Sequence, residues 1–456
     1  MESSADGLRA EARMFCSLLK GSPMARTSAS SYFRRYYSQG HVDTDPELNR
    51  KIVDGLMQLM SSQYDRNRKM CVIGRLDAAW ALTNLVCQSS VLCHLVVEKD
   101  GANLLTDVAG KEPFGSELKL QCYWALGNIA ADCGNCKRVV RETNVTLLLG
   151  HSMYDGEFPN KEAAKNVLWC ALNVVRGGIS NAPLEAVGMM VNACAKIIHE
   201  KKDWLIHLDY VKDSIWIIAQ LADDMNNGRG HIEVISGMEM LLEDLMDILM
   251  SGTSHPQLQN GSLRVLGNIA TGNTEQTEQL TRLPFFYEML VKFFGIGGSL
   301  SHEVAWLTSN LAAGSDEQLS LLFTDNRLYD RILDRLKYGE VRLRKECAWT
   351  LINMLAGAPE PRHDWLISTG VISVFETILD LDDTRIVTRA LHALVNILSE
   401  YPHFAVLVKE ENFLEKIRPS LLLQGPDIPP RLEEIRRIIK KQVDDEEDGE
   451  ATVVFI

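Results

Sequence analysis

Apolar residues recur along this chain at helical spacing, and one version of the pattern returns many times. Its clearest form is Asp77-Ala-Ala-Trp80-Ala-Leu-Thr-Asn84-Leu-Val86. On a helix each residue advances about 100°. With Trp80 at zero, Asn84 lies at about 40° and Asp77 at about 60°, while Leu82, Leu85 and Val86 fall between about 140° and 240° beside Ala78 and Ala79. One face is therefore aliphatic, and the opposite face carries a large aromatic, an amide and an acid. Trp124 and Asn128 stand in the same way against Leu126 and Ile129, and Trp349 and Asn353 against Leu351 and Met354.

Trp80, Trp124, Trp169, Trp216, Arg264, Trp306, Trp349 and His392 occupy equivalent positions, spaced by 44, 45, 47, 48, 42, 43 and 43 residues. A steady period of about 40–47 residues predicts stacked units of two or three helices, of armadillo or HEAT type. Gly, Pro, Asn and Asp mark the joints, at Gly101, Gly134, Gly177-Gly178, Asn226-Asn-Gly228, Gly272, Gly295–Gly298, Gly314, Gly357 and Asp382-Asp383. Residues 1–45 read as an incomplete first repeat, with a helix over 8–19 and a Ser-rich loop over 27–31. Residues 46–443 read as the solenoid, closed by helices over 413–423 and 430–443. Residues 444–456 read as an acidic, disordered tail.

Large apolar groups left in water are costly unless something covers them, so a row of outward Trp and Asn predicts a binding surface. If each Trp merely filled a ridge between units, the Asn four residues on would share a dry site with no evident partner. Indoles on adjacent units would stand about 10 Å apart. The methylene stem of a Lys or Arg fits between them, each buried CH₂ contributing about 0.8 kcal/mol and the cation over an indole roughly 0.5–2 more. The Asn amides suit the N–H and C=O groups of an extended peptide. Asp132, one turn after Asn128, and Asp213, Asp223, Glu303 and Glu346 would receive cationic heads. Arg264 stands where a Trp is expected and should repel a basic peptide, dividing the surface into two rows.

The formal net charge of −14 favours basic partners over nucleic acid. No segment reads as a signal peptide or a membrane span. The ten cysteines are scattered, mostly on apolar helix faces, as in reduced proteins of the cytosol or nucleus. Cys133-Gly-Asn-Cys136 looks like half of a redox or zinc site, but no second ligand pair follows in sequence, so no cofactor or metal is expected. No catalytic constellation is present, and the chain is not expected to be an enzyme.

Taken together, Ala79-Trp-Ala-Leu-Thr-Asn84, Tyr123-Trp-Ala-Leu-Gly-Asn128-Ile-Ala-Ala-Asp132, Leu263-Arg-Val-Leu-Gly-Asn-Ile-Ala-Thr-Gly272 and Lys345-Glu-Cys-Ala-Trp-Thr-Leu-Ile-Asn353 resemble importin-α, the nuclear-localisation-signal adaptor of the armadillo family. The resemblance runs from about residue 8 to the tail. It implies an all-α, right-handed armadillo solenoid, a superhelix of about ten repeats. It also implies a protein of cytoplasm and nucleus that binds basic cargo signals for nuclear import. Carried over, the major site is Trp80, Asn84, Trp124, Asn128, Asp132, Trp169, Asn173 and Trp216. The minor site is Arg264, Asn268, Glu303, Trp306, Asn310, Glu346, Trp349 and Asn353.

Three positions depart from the family pattern. Gln88 and Cys93 stand where the family has a Gly and a Thr that help seat the key lysine, and Gln220 where it has Tyr. The family's basic importin-β-binding segment has no counterpart before the first repeat, so importin-β would be engaged by another route or not at all. The last helices and acidic tail resemble the region where the recycling exportin docks. The other function compatible with these residues is a non-transport armadillo scaffold, or cargo sink, holding a basic partner in the same groove.

Overall fold

The computed structural model describes residues 5–61, 69–154, 160–180, 182–200, 206–223, 230–252, 255–357, 360–411, 414 and 417–453, and the side chains of most of these. Among the described residues the regular structure is helical throughout, and no helix is long and apolar enough to cross a membrane. The chain divides into two compact units, residues 1–235 and 236–456.

In the first unit, helices one repeat apart pack side by side in order. Pro23–Ser38 lies against Lys69–Gln88, which lies against Glu117–Asp132, then Lys161–Val175, then Leu208–Leu221. The second unit repeats the arrangement with Pro256–Ile269, Gly298–Ala312, Val341–Gly357, Thr384–Glu400 and Ile428–Val453. These ladder helices carry the recurrent Trp and Asn. Their aliphatic faces are spent on the core: Leu82, Leu85, Leu126, Ile129, Leu351 and Met354 are all buried, each worth about 1.5–3 kcal/mol.

The joints fall where turn chemistry puts them. Ser89, Ser116, Asn160 and Asp383 cap helix N-termini through their side chains, and Gly177 and Gly178 take positive φ after the Trp169 helix. The joint at 226–228 lies outside the described residues.

Three boundaries differ from the sequence expectation. Residues 27–31 are not a loop but part of the helix Pro23–Ser38. Ser22 caps it and Pro23 occupies its first turn, while the hydroxyls of Thr27 and Ser30 donate to the carbonyls of Pro23 and Thr27. The Ser-rich composition is thus absorbed by bonds back to the helix. The helix expected over 413–423 is the shorter Pro419–Gln424, with 412–413 and 415–416 outside the described residues. The last helix runs Ile428–Val453, past the boundary expected at 443. Its Glu residues are good helix formers.

Candidate functional site

Trp80, Trp124 and Trp169 are 37%, 37% and 39% exposed, against a background of buried aliphatic neighbours. Trp216, Trp306 and Trp349 are half-buried. Trp169 and Trp306 are set in place by the helix before each. A Cβ on Gly127 would lie 3.0 Å from Trp169 Cδ1, and one on Gly267 would lie 2.5 Å from Trp306 Cζ3. The glycine before Asn in Trp-Ala-Leu-Gly-Asn128 and Arg-Val-Leu-Gly-Asn268 is therefore the seat of the next Trp. A helical Gly costs about 1 kcal/mol relative to Ala, and here it admits a ring where a methyl would stand.

The Asn residues divide into three kinds. Asn128 Nδ2 donates to Thr83 O at 3.4 Å, and Asn353 Nδ2 to Ser309 O at 3.2 Å. Each ties its helix to the preceding ladder helix. Asn173 is buried and donates to Trp169 O within its own helix, and Asn268 is also buried. Asn84 and Asn310 have buried Nδ2 atoms with no hydrogen-bond partner, a cost that a native site normally avoids.

Each row opens with an arginine laid on an indole. Arg34 Cζ lies 5.0 Å from the Trp80 ring, and Arg264 Cζ lies 4.8 Å from the Trp306 ring. Both pair with the acid three residues before that Trp: Arg34 with Asp77 at 3.0 Å and Arg264 with Glu303 at 2.6 Å. Ser31 also donates to Asp77. Arg264 was expected as a bare repelling charge, but its charge is met by Glu303, a residue expected to serve the peptide. Arg34 was not among the expected site residues. Its signal was in the spacing, since it stands 46 residues before Trp80, one period ahead of the row.

The carboxylates are set by burial and partners. Burial raises Glu346 above the usual Glu range, opposed by a hydrogen bond from Ser309 Oγ at 3.1 Å. Burial also raises Asp213, with Lys212 pulling the other way. Asp132 is mostly buried; its Oδ2 accepts from Ser90 Oγ at 3.0 Å and lies 3.2 Å from His94 Nε2. Gln88 donates to the carbonyl of Tyr37, and Cys93 is buried, its thiol pushed up to about 12 by desolvation. Gln220 Oε1 accepts from Gly177 N at 2.9 Å.

No protein-family model matches the chain. Importin subunit alpha-1b of Oryza sativa subsp. japonica is 24% identical over 434 residues, covering 92% of this chain and 76% of that protein. Importin subunit alpha-5 of Arabidopsis thaliana is 23% identical over 389 residues, covering 85% and 70%.

Over nearly its whole length the chain is similar to importin alpha subunits.

A probable importin subunit alpha-A of Dictyostelium discoideum matches a shorter part, 27% identical over 211 residues, or 43% of this importin-α-like chain and 36% of that protein. The crystal structure of an engineered protein shares the fold at a TM-score of 0.71 and 19% identity, over 94% of the importin-α-like chain and 99% of its own.

Proposed function

We propose that this chain is an adaptor that binds basic nuclear localisation signals in its Trp/Asn rows for protein import into the nucleus, working in cytoplasm and nucleus. One observation carries the reading. At the head of each row an arginine of the chain itself rests on an indole and pairs with the acid three residues before it. The slot thus takes a cation by stacking and charge together, and the same chemistry repeated along a row selects a run of basic residues. The similarity to importin subunits supports the destination of the cargo.

The test is fluorescence anisotropy of monopartite and bipartite basic peptides on the intact chain at low and physiological salt. Binding lost on Trp306→Ala plus Trp349→Ala is the expected result for the second row. No binding at low salt overturns the adaptor reading and leaves a scaffold with a repurposed face. A pulldown of importin-β with and without cargo then separates import from simple retention.

A further inference from the structure

The pair Cys133 and Cys136 has its missing partners in space. His94 comes from the helix Ser90–Glu98, Asp132 ends the helix Glu117–Asp132, and the cysteines flank the start of Gly134–Glu142. One ligand atom from each of the four lies within 4.8 Å of all the others. His94 Nε2 is 3.2 Å from Asp132 Oδ2, Cys133 Sγ is 3.5 Å from His94 Nε2, and Cys136 Sγ is 3.7 Å from Asp132 Oδ2.

Those separations have a meaning. A tetrahedral ion with bonds of about 2.0–2.3 Å to N, O and S holds its ligand atoms roughly 3.3–3.8 Å apart. Three of the edges, at 3.2, 3.5 and 3.7 Å, are close to that range. Two thiols, an imidazole and a carboxylate are a borderline-soft set, suited to Zn²⁺ and poorly suited to Mg²⁺ or Ca²⁺. An outer shell exists as well. Ser90 Oγ holds Asp132 Oδ2 at 3.0 Å, and the Cys136 N–H donates to Cys133 Sγ at 3.3 Å; such contacts orient ligands before the metal arrives. Cys136 is buried and His94 exposed, so the cluster has a closed floor and an open side.

We propose that His94, Asp132, Cys133 and Cys136 form a site for one Zn²⁺-class cation in the reduced protein, and that filling it withdraws Asp132 from the first row. The second half rests on the adaptor reading, because Asp132 is the acid one turn beyond Asn128 that would receive a cationic side chain. A dication on Oδ2 neutralises the charge that a peptide ammonium would otherwise pair with.

The experiment uses the full chain, reduced and stripped of metal, titrated with Co²⁺. One equivalent should give thiolate-to-cobalt absorption and the visible bands of four-coordinate cobalt, both bleached by Zn²⁺. Cys133→Ser plus Cys136→Ser should abolish the thiolate band, and Ser keeps the N-cap role of Cys133, so the fold is preserved. His94→Ala should weaken binding by more than the roughly 10–100-fold that losing an outer-shell partner costs. A six-coordinate spectrum, or no band in a chain whose two thiols titrate as free, overturns the site; so does a Cys133–Cys136 disulfide that forms in preference to metal uptake under mild reductant. The cobalt bands judge the site whatever the peptides do. In the second arm, Zn²⁺ should lower first-row peptide affinity at least tenfold in the parent chain and leave the double Ser variant unchanged. Equal affinity with and without bound metal overturns the coupling, whereas absence of peptide binding in the metal-free chain is failure of the adaptor reading itself.

Discussion

The first row, on helices between residues 69 and 221, and the second, between 256 and 357, open with the same three parts. An arginine from the preceding ladder helix lies on a Trp one repeat later and pairs with an acid three residues before that Trp. Beyond the opening they diverge. The first row continues with Trp124 and Trp169, which have Gln121 and Asn166 where an acid stands before Trp80, and an acid returns only with Asp213 before Trp216. The second continues with Trp349, preceded by Glu346, which is half-buried and held by Ser309. The middle of the first row, at Trp124 and Trp169, is thus dominated by apolar contact, whereas both Trp slots of the second row carry a carboxylate. A stem-dominated interaction persists in salt, whereas a charge-dominated one is screened.

The largest effects should come from removing the indoles. Trp124→Ala plus Trp169→Ala should cost first-row peptides about 2–4 kcal/mol per slot, roughly 30- to 1,000-fold, and the loss should change little between low and high salt. Trp306→Ala plus Trp349→Ala should cost the second row as much at low salt and less at high salt. Anisotropy titrations at two ionic strengths decide it. Equal salt slopes for the two rows would erase the distinction.

Next come the glycine seats. Gly267→Ala puts a methyl 2.5 Å from the Trp306 ring, whereas Gly127→Ala meets Trp169 and the Cys170 backbone at 3.0 Å or more. Overpacking of this kind costs about 1–3 kcal/mol, offset by the ~1 kcal/mol that Ala gains over Gly in a helix. Gly267→Ala should therefore displace the indole, shift tryptophan emission and weaken second-row binding. Gly127→Ala should be milder on both counts. Urea unfolding with fluorescence detection on the two variants makes the comparison, and a harmless Gly267→Ala would remove the seat from the explanation.

The opening arginines should act with the opposite sign. Each occupies the slot a peptide cation would use, so Arg264→Ala and Arg34→Ala should raise basic-peptide affinity several-fold in their own rows. The stability change should be small, because both guanidinium groups are about a third exposed and such pairs are worth ~1 kcal/mol or less. Tighter binding in one row only would show that the two openings are alike in geometry but not in role.

Much of this was legible in the residues. The period, the helix faces and the outward Trp follow from spacing alone, because a 3.6-residue repeat inside a unit of some 43 residues leaves little choice of face. The expected alternation of buried Leu82, Leu85 and Val86 with exposed Trp80 is what the structure has. The partners of those residues were not legible. Asn128 was expected to face a peptide, and its donor is turned onto Thr83 of the neighbouring helix. Glu303 was expected to be available, and Arg264 holds it. Cys133 and Cys136 looked like a half-site because His94 stands 39 and 42 residues before them, one repeat away. Spacing along a chain identifies a face; contacts between successive copies arise only when the copies stack. Contacts that the period does encode are those of Arg34 and Arg264, each one unit ahead of the Trp it rests on.

The smallest effect separates the rows by pH. Burial holds the Glu346 carboxyl above its usual range. In the folded chain it therefore takes up a proton at a pH where the unfolded chain does not. Its contribution to stability is full below the unfolded value and is lost as pH rises through the folded one, so mild acidification favours the fold at this residue. Binding runs the other way. A basic peptide needs the charged carboxylate, and its affinity for the second row should fall as pH drops from 7.5 towards 5, by a few-fold. Glu346→Gln should flatten both slopes at once, leaving second-row affinity weaker but level and removing the matching term from denaturant stability. First-row peptides, measured on the Glu346→Gln chain, should keep whatever pH dependence Asp213 gives them. Parallel pH slopes for stability and second-row affinity would mean that this half-buried acid serves packing and takes no part in holding a peptide.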